Sequence, residues 1–308
     1  MAVGLEPERL EATARLCSPD ALAIKADVRD LEALQGAVEQ AVERFGGLDV
    51  LVANAGIAGG ATLRTVDPAA FDRTIEVNLL GQFRTIRAAL EELVARRGYV
   101  LSVASVAAIV APPGLGAYAA SKAGVEAMCN SLRIEVAHLG VDVGVAYPSW
   151  VDTDLVRTAN EHAGFRSLVA SMPGPMRKVT PLADLGKALA DAVEDRARTV
   201  ALPLWVRGAR YARGLLGTRA GDASFRAAAP EIVEAAEEEV RRRGAEAASM
   251  LGLPGDTLSE REAAALLGAR LGEAHDAVQP GRRIATLRPS AGVSPALALM
   301  SPPPPRAR

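Results

Sequence analysis

The sequence predicts an α/β protein built on a doubly wound parallel sheet. Short apolar runs such as residues 48–53 and 99–104 alternate with longer segments in which apolar side chains recur every three or four positions. Apolar runs of this length are typical of parallel strands buried on both faces, and the longer segments are typical of helices that cover them. The 308 residues, of which 49% are hydrophobic, are enough for one large domain and an appendage.

The elements follow one another in strand–helix order along residues 1–207, which we predict to be the folded core. Asp27 and Asp30 are candidate caps for the first long helix of this region. Thr180 and Pro181 are predicted to begin a later helix, as a cap and a first-turn proline. The pattern places strands at 21–26, 48–53, 99–104, 141–147 and 199–204, and helices at 31–45, 68–96 and about 118–137.

Tyr118 and Lys122 lie four residues apart in one predicted helix. This spacing places both side chains on the same face, so that an ammonium group lies beside a phenol. A nearby cation lowers the pKa of a phenol, which is ordinarily near 10, and produces a general acid/base suited to neutral pH. Tyr and Lys are common residues and also take this spacing by chance in ordinary surface helices. The pair therefore indicates a catalytic site only together with the residues around it.

Two further polar residues accompany the pair. Ser105 follows the predicted strand 99–104, at the carboxyl end where open α/β sheets bind their ligands, and its hydroxyl could donate a hydrogen bond to a substrate oxygen. Without a ligand it is simply a polar residue that closes a strand. Asn78 lies inside the predicted helix 68–96, where Asn is a poor helix former and is usually just exposed.

These residues and their neighbours resemble the short-chain dehydrogenase/reductase family in its compact form. The resemblance covers residues 1 to about 205, and several independent motifs keep the family's order and approximate spacing. A departure is Ser149, where the family commonly has Gly, so a local turn that needs positive φ would have to differ. The matching positions are Asp27-Val28, Asn54-Ala55-Gly56, Asn78, Ser105, Tyr118 with Lys122, and Pro148-Ser149-Trp150-Val151-Asp152-Thr153.

The resemblance implies a Rossmann-like fold and an NAD- or NADP-dependent oxidoreductase that acts on an alcohol or ketone. Tyr118 would donate or accept the proton, and Lys122 would lower its pKa and hold the nicotinamide ribose. Ser105 would steady the substrate oxygen. Asn78 would hold a water that links Lys122 to solvent. The segment 155–178 falls where the family has its substrate lid, and its Phe and Met side chains favour a hydrophobic substrate, although a plain packing helix explains them equally well.

The resemblance also implies a cofactor site. Asp27, with Val28 beside it, would bind the adenine amino group, and Asn54, Ala55 and Gly56 would line the adenosine. Tyr118 and Lys122 would meet the nicotinamide riboside. Pro148, Val151 and Thr153 match the positions that meet the nicotinamide amide and the phosphates. Glu6 stands near the family's acidic ribose-binding position and gives a slight preference for NAD over NADP.

One part of the family pattern has no match in this chain. Family members open with a strand, a glycine-rich turn and a helix, whereas residues 1–10 look like the end of the second strand and the following helix. We therefore expect a sheet without its central first strand, in which the strand at 21–26 lacks its usual neighbour and apolar edges are exposed. The favoured interpretation is a truncated gene model of an ordinary enzyme. The alternative is a non-catalytic nucleotide-sensing or scaffold protein that has lost firm pyrophosphate binding.

The overall composition and the sequence after residue 207 give further predictions. A net charge of -2 gives no general attraction to nucleic acid or membranes, and two cysteines imply no disulfide framework and fit a reducing cytoplasm. The uncharged residues 99–121 are long enough for a membrane span, but prolines and glycines at 112–116 break any helix there. No metal site is expected. The resemblance implies a homodimer or homotetramer formed through the helices of Asn78 and Tyr118. Residues 208–273 are predicted to be a helical extension, in which Glu and Arg pairs at 231–243 indicate a self-supporting, solvated helix. The basic, proline-rich residues 274–308 are predicted to be a disordered tail.

Overall fold

The computed structural model describes residues 1–216 and 218–245. The predicted tail at 274–308 and the end of the predicted helical extension lie outside the described residues. Among the described residues, no helix combines the length and the apolar character needed to cross a membrane.

The strands confirm the predicted α/β fold with a parallel sheet. Every pair of neighbouring strands runs in parallel, as the alternation of strands and helices requires. Two strands form one pair in the order β1-β2, and four form a sheet in the order β3-β4-β5-β6. The strands are β1 (Ala2–Gly4), β2 (Ala23–Lys25), β3 (Val50–Ala53), β4 (Tyr99–Val103), β5 (Asp142–Pro148) and β6 (Thr199–Leu202).

The strand predicted at 21–26 is β2, and it pairs in parallel with β1. Residues of β1 supply the partner, with Ala2 opposite Ala23 and Gly4 opposite Lys25. Among the described strands β1, β2 and β6 also have a single partner, and the edge at β3, whose one partner is β4, exposes an apolar side chain. Val52 in this strand is 43% exposed, although its neighbours in the larger sheet are buried.

Eleven α-helices cover the strands and extend the chain beyond them in the described residues. Asp30 caps the helix at 31–45 by accepting a hydrogen bond from Ala33 N at 3.0 Å, as predicted for this residue. The helices are α1 (Pro7–Cys17), α2 (Leu31–Phe45), α3 (Pro68–Ile75), α4 (Gly81–Arg96), α5 (Gly116–Glu135), α6 (Asp154–Ala159), α7 (Ala163–Ser171), α8 (Leu182–Glu194), α9 (Leu204–Tyr211), α10 (Arg213–Leu216) and α11 (Ala223–Arg243).

The predicted elements differ from the structure in several places. The helix predicted at 68–96 is divided into α3 and α4 by a π-helical segment, Glu76–Leu80. Thr180 does not cap α8, because its backbone forms a parallel β-bridge with Val151. Pro181 occupies the cap position instead and forms no side-chain hydrogen bond there. The last strand ends before residue 204, since Leu204 is the first residue of α9.

The helix at 231–243 is not solvated, and this prediction is wrong. These residues belong to α11, whose Ile232 and Ala236 are 1% and 4% exposed. Gly164 in α7 makes the close approach possible, because a Cβ atom at this position would lie 2.8 Å from the Ala236 Cβ. The carboxyl side of the described chain is therefore packed onto α7, the helix in the middle of the predicted substrate lid.

Candidate active site

The carboxyl ends of the parallel strands bring the predicted site residues to one edge of the sheet. Asn54 follows β3, Ser105 follows β4, and Pro148 ends β5. Tyr118 and Lys122 approach this edge from α5, which is connected to the short turn Val106–Ala108 after Ser105 by the loop 109–115. All five residues line one cavity of about 410 Å³.

Tyr118 and Ser105 are close enough for their hydroxyl groups to interact. Burial raises the pKa of the Tyr118 phenol, and the hydrogen bond with Ser105 opposes this by lowering it. The net direction is upward, which is the opposite of the direction predicted from the spacing of Tyr118 and Lys122. The phenol is therefore protonated at neutral pH in the ligand-free chain and is ready to act as an acid.

Lys122 is 3% exposed and lies beside the phenol, as the four-residue spacing predicts. Its Nζ is 5.7 Å from the centroid of the Tyr118 ring and donates a hydrogen bond to Val103 O at 2.9 Å. Burial lowers the pKa of Lys122 to about 8. A buried ammonium with one hydrogen bond retains two N–H donors for a ligand hydroxyl.

Asn78 is fully buried in the π-helical segment, a form of helix that is rare and often found at functional sites. Its amide forms a two-way clamp with Ile57, accepting from the backbone N and donating to the backbone O, each at 2.8 Å. The amide also donates to Ser121 Oγ at 3.0 Å. Both amide hydrogens of Asn78 are donated within the chain. The amide can therefore form a hydrogen bond with a water molecule only by accepting it at its oxygen.

Gly56 lies against the two catalytic candidates of the neighbouring helices. A Cβ atom on Gly56 would be 3.3 Å from both Asn78 Oδ1 and Lys122 Nζ. Asn54 and Gly56 are exposed, and Ala55 between them is half-buried. The backbone of the turn after β3 thus approaches Asn78 and Lys122 more closely than a side chain at position 56 would allow, and Asn54 and Gly56 line the cavity together with Lys122.

The remaining residues of the predicted cofactor site have defined partners. Asp27 does not cap α2; it pairs with Arg29, whose Nη2 is 2.6 Å from Asp27 Oδ2, and this hydrogen bond lowers the pKa of Asp27. Val28 packs against the start of α4, where a Cβ atom on Gly81 would be 2.7 Å from Val28 Cγ2. Thr153 caps α6, its Oγ1 accepting from Val156 N at 3.4 Å.

Pro148, Ser149 and Val151 lie beside the cavity on the segment that follows β5. Among the described residues other than glycine, positive φ occurs at Arg97 and Arg196 alone. Ser149 therefore occupies this turn in an ordinary conformation, and the departure from glycine causes no backbone strain.

The cavity beyond Tyr118 is lined mainly by apolar side chains from four parts of the chain. Phe165, Met172 and Met176 lie in the segment predicted as a substrate lid, whereas Trp205 and Phe225 of α11 were not among the predicted site residues. Trp150 stands within the motif that begins at Pro148, but nothing in the sequence links residues 205 and 225 to this site. The apolar lining includes Val106, Leu115, Trp150, Val156, Phe165, Met172, Met176, Trp205, Leu216 and Phe225.

The residues and their arrangement agree with the comparisons to known proteins. A family model described as short chain dehydrogenase matches residues 1–164, which is more than half of the chain. This chain belongs to the short-chain dehydrogenase family. The predicted family, with its parallel-sheet Rossmann-like fold and its oxidoreductase chemistry, is thereby confirmed.

Several named relatives of this short-chain dehydrogenase are oxidoreductases. A short-chain type dehydrogenase/reductase of Mycolicibacterium smegmatis is 35% identical over 202 residues, which are 60% of this chain and 72% of the relative. The 2-(R)-hydroxypropyl-CoM dehydrogenase of Xanthobacter autotrophicus is 32% identical over 62% of this chain and 78% of its own length. A crystal structure of 3-ketoacyl-(acyl-carrier-protein) reductase from Brucella melitensis with NADH is 28% identical, with a TM-score of 0.58 over 65% of this chain and 84% of that one.

Proposed function

We propose that this short-chain dehydrogenase uses NAD or NADP to interconvert an alcohol and a ketone on a neutral, largely apolar substrate. The observation that carries the proposal is the position of Tyr118, whose phenol meets Ser105 and Lys122 at the wall of the apolar cavity. A buried acid beside a hydroxyl donor and an ammonium is suited to protonating the oxygen of a carbonyl group.

The nicotinamide, when bound, supplies the hydride or accepts it. Tyr118 gives its phenolic proton to the substrate oxygen in the reducing direction and takes it back in the other. Ser105 Oγ donates a hydrogen bond to the same oxygen and so stabilises the charge that develops on it. Lys122 favours the phenolate form of Tyr118 once the proton has left. Asn78 is a positioning residue, since it holds the Ile57 backbone next to Lys122.

The residues present fit the nicotinamide end of a dinucleotide. Gly56 and Lys122 line the cavity together with Pro148, Val151 and Thr153. Asn54, Ala55, Asp27 and Val28 would receive the adenosine. Glu6, the basis of the slight preference for NAD, is paired with Arg9 at 3.3 Å, so its carboxylate already has a cation beside it. The proposal therefore includes both dinucleotides.

The substitution Tyr118→Phe tests the proposal. We expect it to abolish turnover of a panel of apolar ketones and alcohols while NADH affinity, followed by cofactor fluorescence, changes less than twofold. Tyr211→Phe is the matched control, because Tyr211 is 80% exposed on α9. Retained activity in Tyr118→Phe would refute the role of the phenol.

The rival function is a nucleotide-sensing or scaffold protein without turnover. Such a protein would have the same fold but would bind the cofactor without turning it over. Saturable NADH binding, with no oxidation of NADH by any ketone of the panel, would favour this rival function. The cavity beside Tyr118 supports the enzyme, since a sensor of the nucleotide alone has no need of an apolar chamber next to a general acid.

Assembly into a homodimer or homotetramer is part of the proposal. Leu80 and Phe83, at the start of the helix that follows Asn78, are 37% and 49% exposed, and Ile134 on the helix of Tyr118 is 79% exposed. Apolar side chains on these two helices are suited to contact a second copy. Light scattering on the purified chain measures the assembly, and a monomer at micromolar concentration would argue against it.

A further inference from the structure

Large apolar side chains are exposed close together in the chain after β6. Leu204 is 78% exposed, Tyr211 80% and Leu215 67%, and all three belong to α9 or α10. Among the described residues, Leu63 and Ile134 are the other large apolar side chains that are exposed to this degree. Single exposed apolar side chains are ordinary, whereas a group of them indicates a surface that contacts something other than water.

The helix α9 has two different faces. Leu204 and Tyr211 are seven residues apart, about two helical turns, so they lie on the same face, with Arg207 near them. The opposite face carries Val206, which is fully buried, and Trp205, which packs against the main core. One face therefore fixes the helix in the fold, and the other presents apolar side chains and an arginine to the outside.

Positive charge accompanies these exposed side chains. Residues 204–226 contain five Arg and one Asp, although the whole chain has a net charge of -2. Of the five arginines, Arg213 is the one that forms an ion pair with a described carboxylate, its Nη1 lying 2.8 Å from Glu126 Oε1. Arg207, Arg219 and Arg226 are exposed. The segment is thus apolar and cationic at the same time.

This combination identifies the kind of partner. The surface of an anionic lipid membrane offers negative head groups and an apolar layer beneath them, and it binds basic amphipathic helices that lie flat on it. A second copy of this chain fits less well, because a two-fold contact through the same patch would place arginines against arginines. Charge complementarity therefore favours lipid over self-association at this face.

We propose that residues 204–219 form a lipid-docking surface, on which the folded chain lies against an anionic membrane without crossing it. Leu204, Tyr211 and Leu215 enter the boundary between head groups and acyl chains, and Arg207 and Arg219 meet the lipid phosphates. This inference goes beyond the proposed function and does not depend on it.

The lipid-docking surface and the cavity are two sides of one short segment. Trp205, Ala209 and Leu216 lie within residues 204–219 and line the cavity that contains Tyr118. Docking therefore places one wall of an apolar cavity beside the lipid, where apolar molecules concentrate.

Co-sedimentation with lipid vesicles tests the inference. The purified chain is mixed, at about 0.1 M NaCl, with vesicles of phosphatidylcholine alone or with about one third phosphatidylglycerol. The apolar variant is Leu204→Ser, and its matched control is Leu63→Ser, because Leu63 is 73% exposed elsewhere in the chain.

The charge variant is Arg207→Gln combined with Arg219→Gln. Its control is Arg73→Gln combined with Lys178→Gln, since both of these residues are exposed and the net charge changes equally. Circular dichroism establishes that each variant is folded. The two test variants are independent of each other, so either one alone tests the surface.

We expect the wild-type chain to sediment with the anionic vesicles and not with phosphatidylcholine alone. Leu204→Ser should weaken binding about tenfold, because one apolar anchor is lost. The charge variant should weaken it about thirtyfold, the effect of two arginines near an anionic surface. Each control should change it by no more than about twofold.

Three results would overturn the inference. One is an absence of binding to the anionic vesicles, and another is an equal loss in the test variants and their controls, which would indicate attraction to net charge alone. The third is a smaller assembly of Leu204→Ser in light scattering with unchanged lipid binding, which would assign this face to contact between copies. Turnover of NADH is measured separately, so a failure of the proposed function leaves this result unaffected.

Discussion

His162 Nδ1 lies 3.1 Å from Glu239 Oε1, and each side chain is 4% exposed. The second carboxylate oxygen of Glu239 accepts a hydrogen bond from Ala163 N at 2.8 Å, at the first residue of α7. Arg243 Nη1 lies 3.1 Å from the first oxygen. One carboxylate on α11 therefore binds the amino end of α7 and ties the carboxyl side of the described chain to a wall of the cavity.

The buried imidazole predicts a loss of stability in acid. Burial lowers the pKa of His162, and the cations Arg243 and Arg166 act in the same direction, against Glu239 and Glu161. The unfolded chain thus binds the proton more readily, so this contribution to the free energy of unfolding is present above about pH 6.5 and is lost as the pH falls through the folded-state value.

Urea unfolding between pH 7.5 and pH 5 measures this effect. We expect the free energy of unfolding to fall with pH more steeply in the wild-type chain than in His162→Gln. His138→Gln is the matched control, because His138 is exposed. An identical pH slope for the wild-type chain and His162→Gln would contradict the role assigned to this imidazole.

The apolar face of α11 predicts a second effect on stability. Ile232 is 1% exposed and packs with Leu115 and Leu168, so Ile232→Ala removes buried apolar atoms and leaves a cavity. We expect the free energy of unfolding to fall by about 2–4 kcal/mol. Glu234→Ala, on the exposed face of the same helix, should change it by less than about 0.5 kcal/mol. Similar small effects of both substitutions would restore the interpretation of a solvated helix.

The failure to foresee this docking has a physical reason. The acidic and basic residues of 231–243 match helical spacing, but one of the pairs at four-residue spacing, Glu239 with Arg243, is also engaged by α7. Glu237 instead reaches Arg64 at 2.8 Å, far away in sequence. Ile232 and Ala236 do form a stripe, yet alanine is weakly apolar and the charges on the same turns dominate the pattern.

The elements and the site differ in how far local sequence determines them. Uncharged β-branched residues in β4 and the apolar repeat of α2 are local properties, and both elements lie where predicted. The proximity of Tyr118 and Lys122 follows from helical spacing in the same way. The direction of the Tyr118 pKa does not, because it depends on burial by parts of the chain that local sequence cannot identify. The Asn78 clamp likewise needs the Ile57 backbone, 21 residues away.

The Asn78 clamp predicts a large effect of a small change. Asn78→Leu keeps the branched shape of the side chain but leaves the part-buried N–H and C=O of Ile57 without their partner. We expect a loss of about 2–6 kcal/mol in the free energy of unfolding, from about one to three kcal/mol for each of the two groups left unpaired. Asn130→Leu, at an exposed position on α5, is the control and should have little effect. A loss below about 1 kcal/mol in Asn78→Leu would show that the clamp contributes little to stability.

The buried ammonium of Lys122 predicts that removing it stabilises the chain while abolishing its activity. The pKa of Lys122 is lowered by burial from 10.5 to about 8, so holding the charge in the folded chain at pH 7 costs about 3 kcal/mol. Lys122→Met removes this cost and also the bond to Val103 O, and we expect a net gain of about 1–2 kcal/mol at pH 7.

The pH dependence separates this cause from a general effect of methionine. The unfolded chain holds the Lys122 proton up to about pH 10.5, whereas the folded chain releases it near pH 8, so wild-type stability gains from deprotonation as the pH rises between these values. The advantage of Lys122→Met in urea unfolding should therefore shrink from pH 8 to pH 10. Lys178→Met, at an exposed position, should show no such change. A constant advantage across this range would mean that packing of the new side chain, and not relief of a buried charge, stabilises the variant.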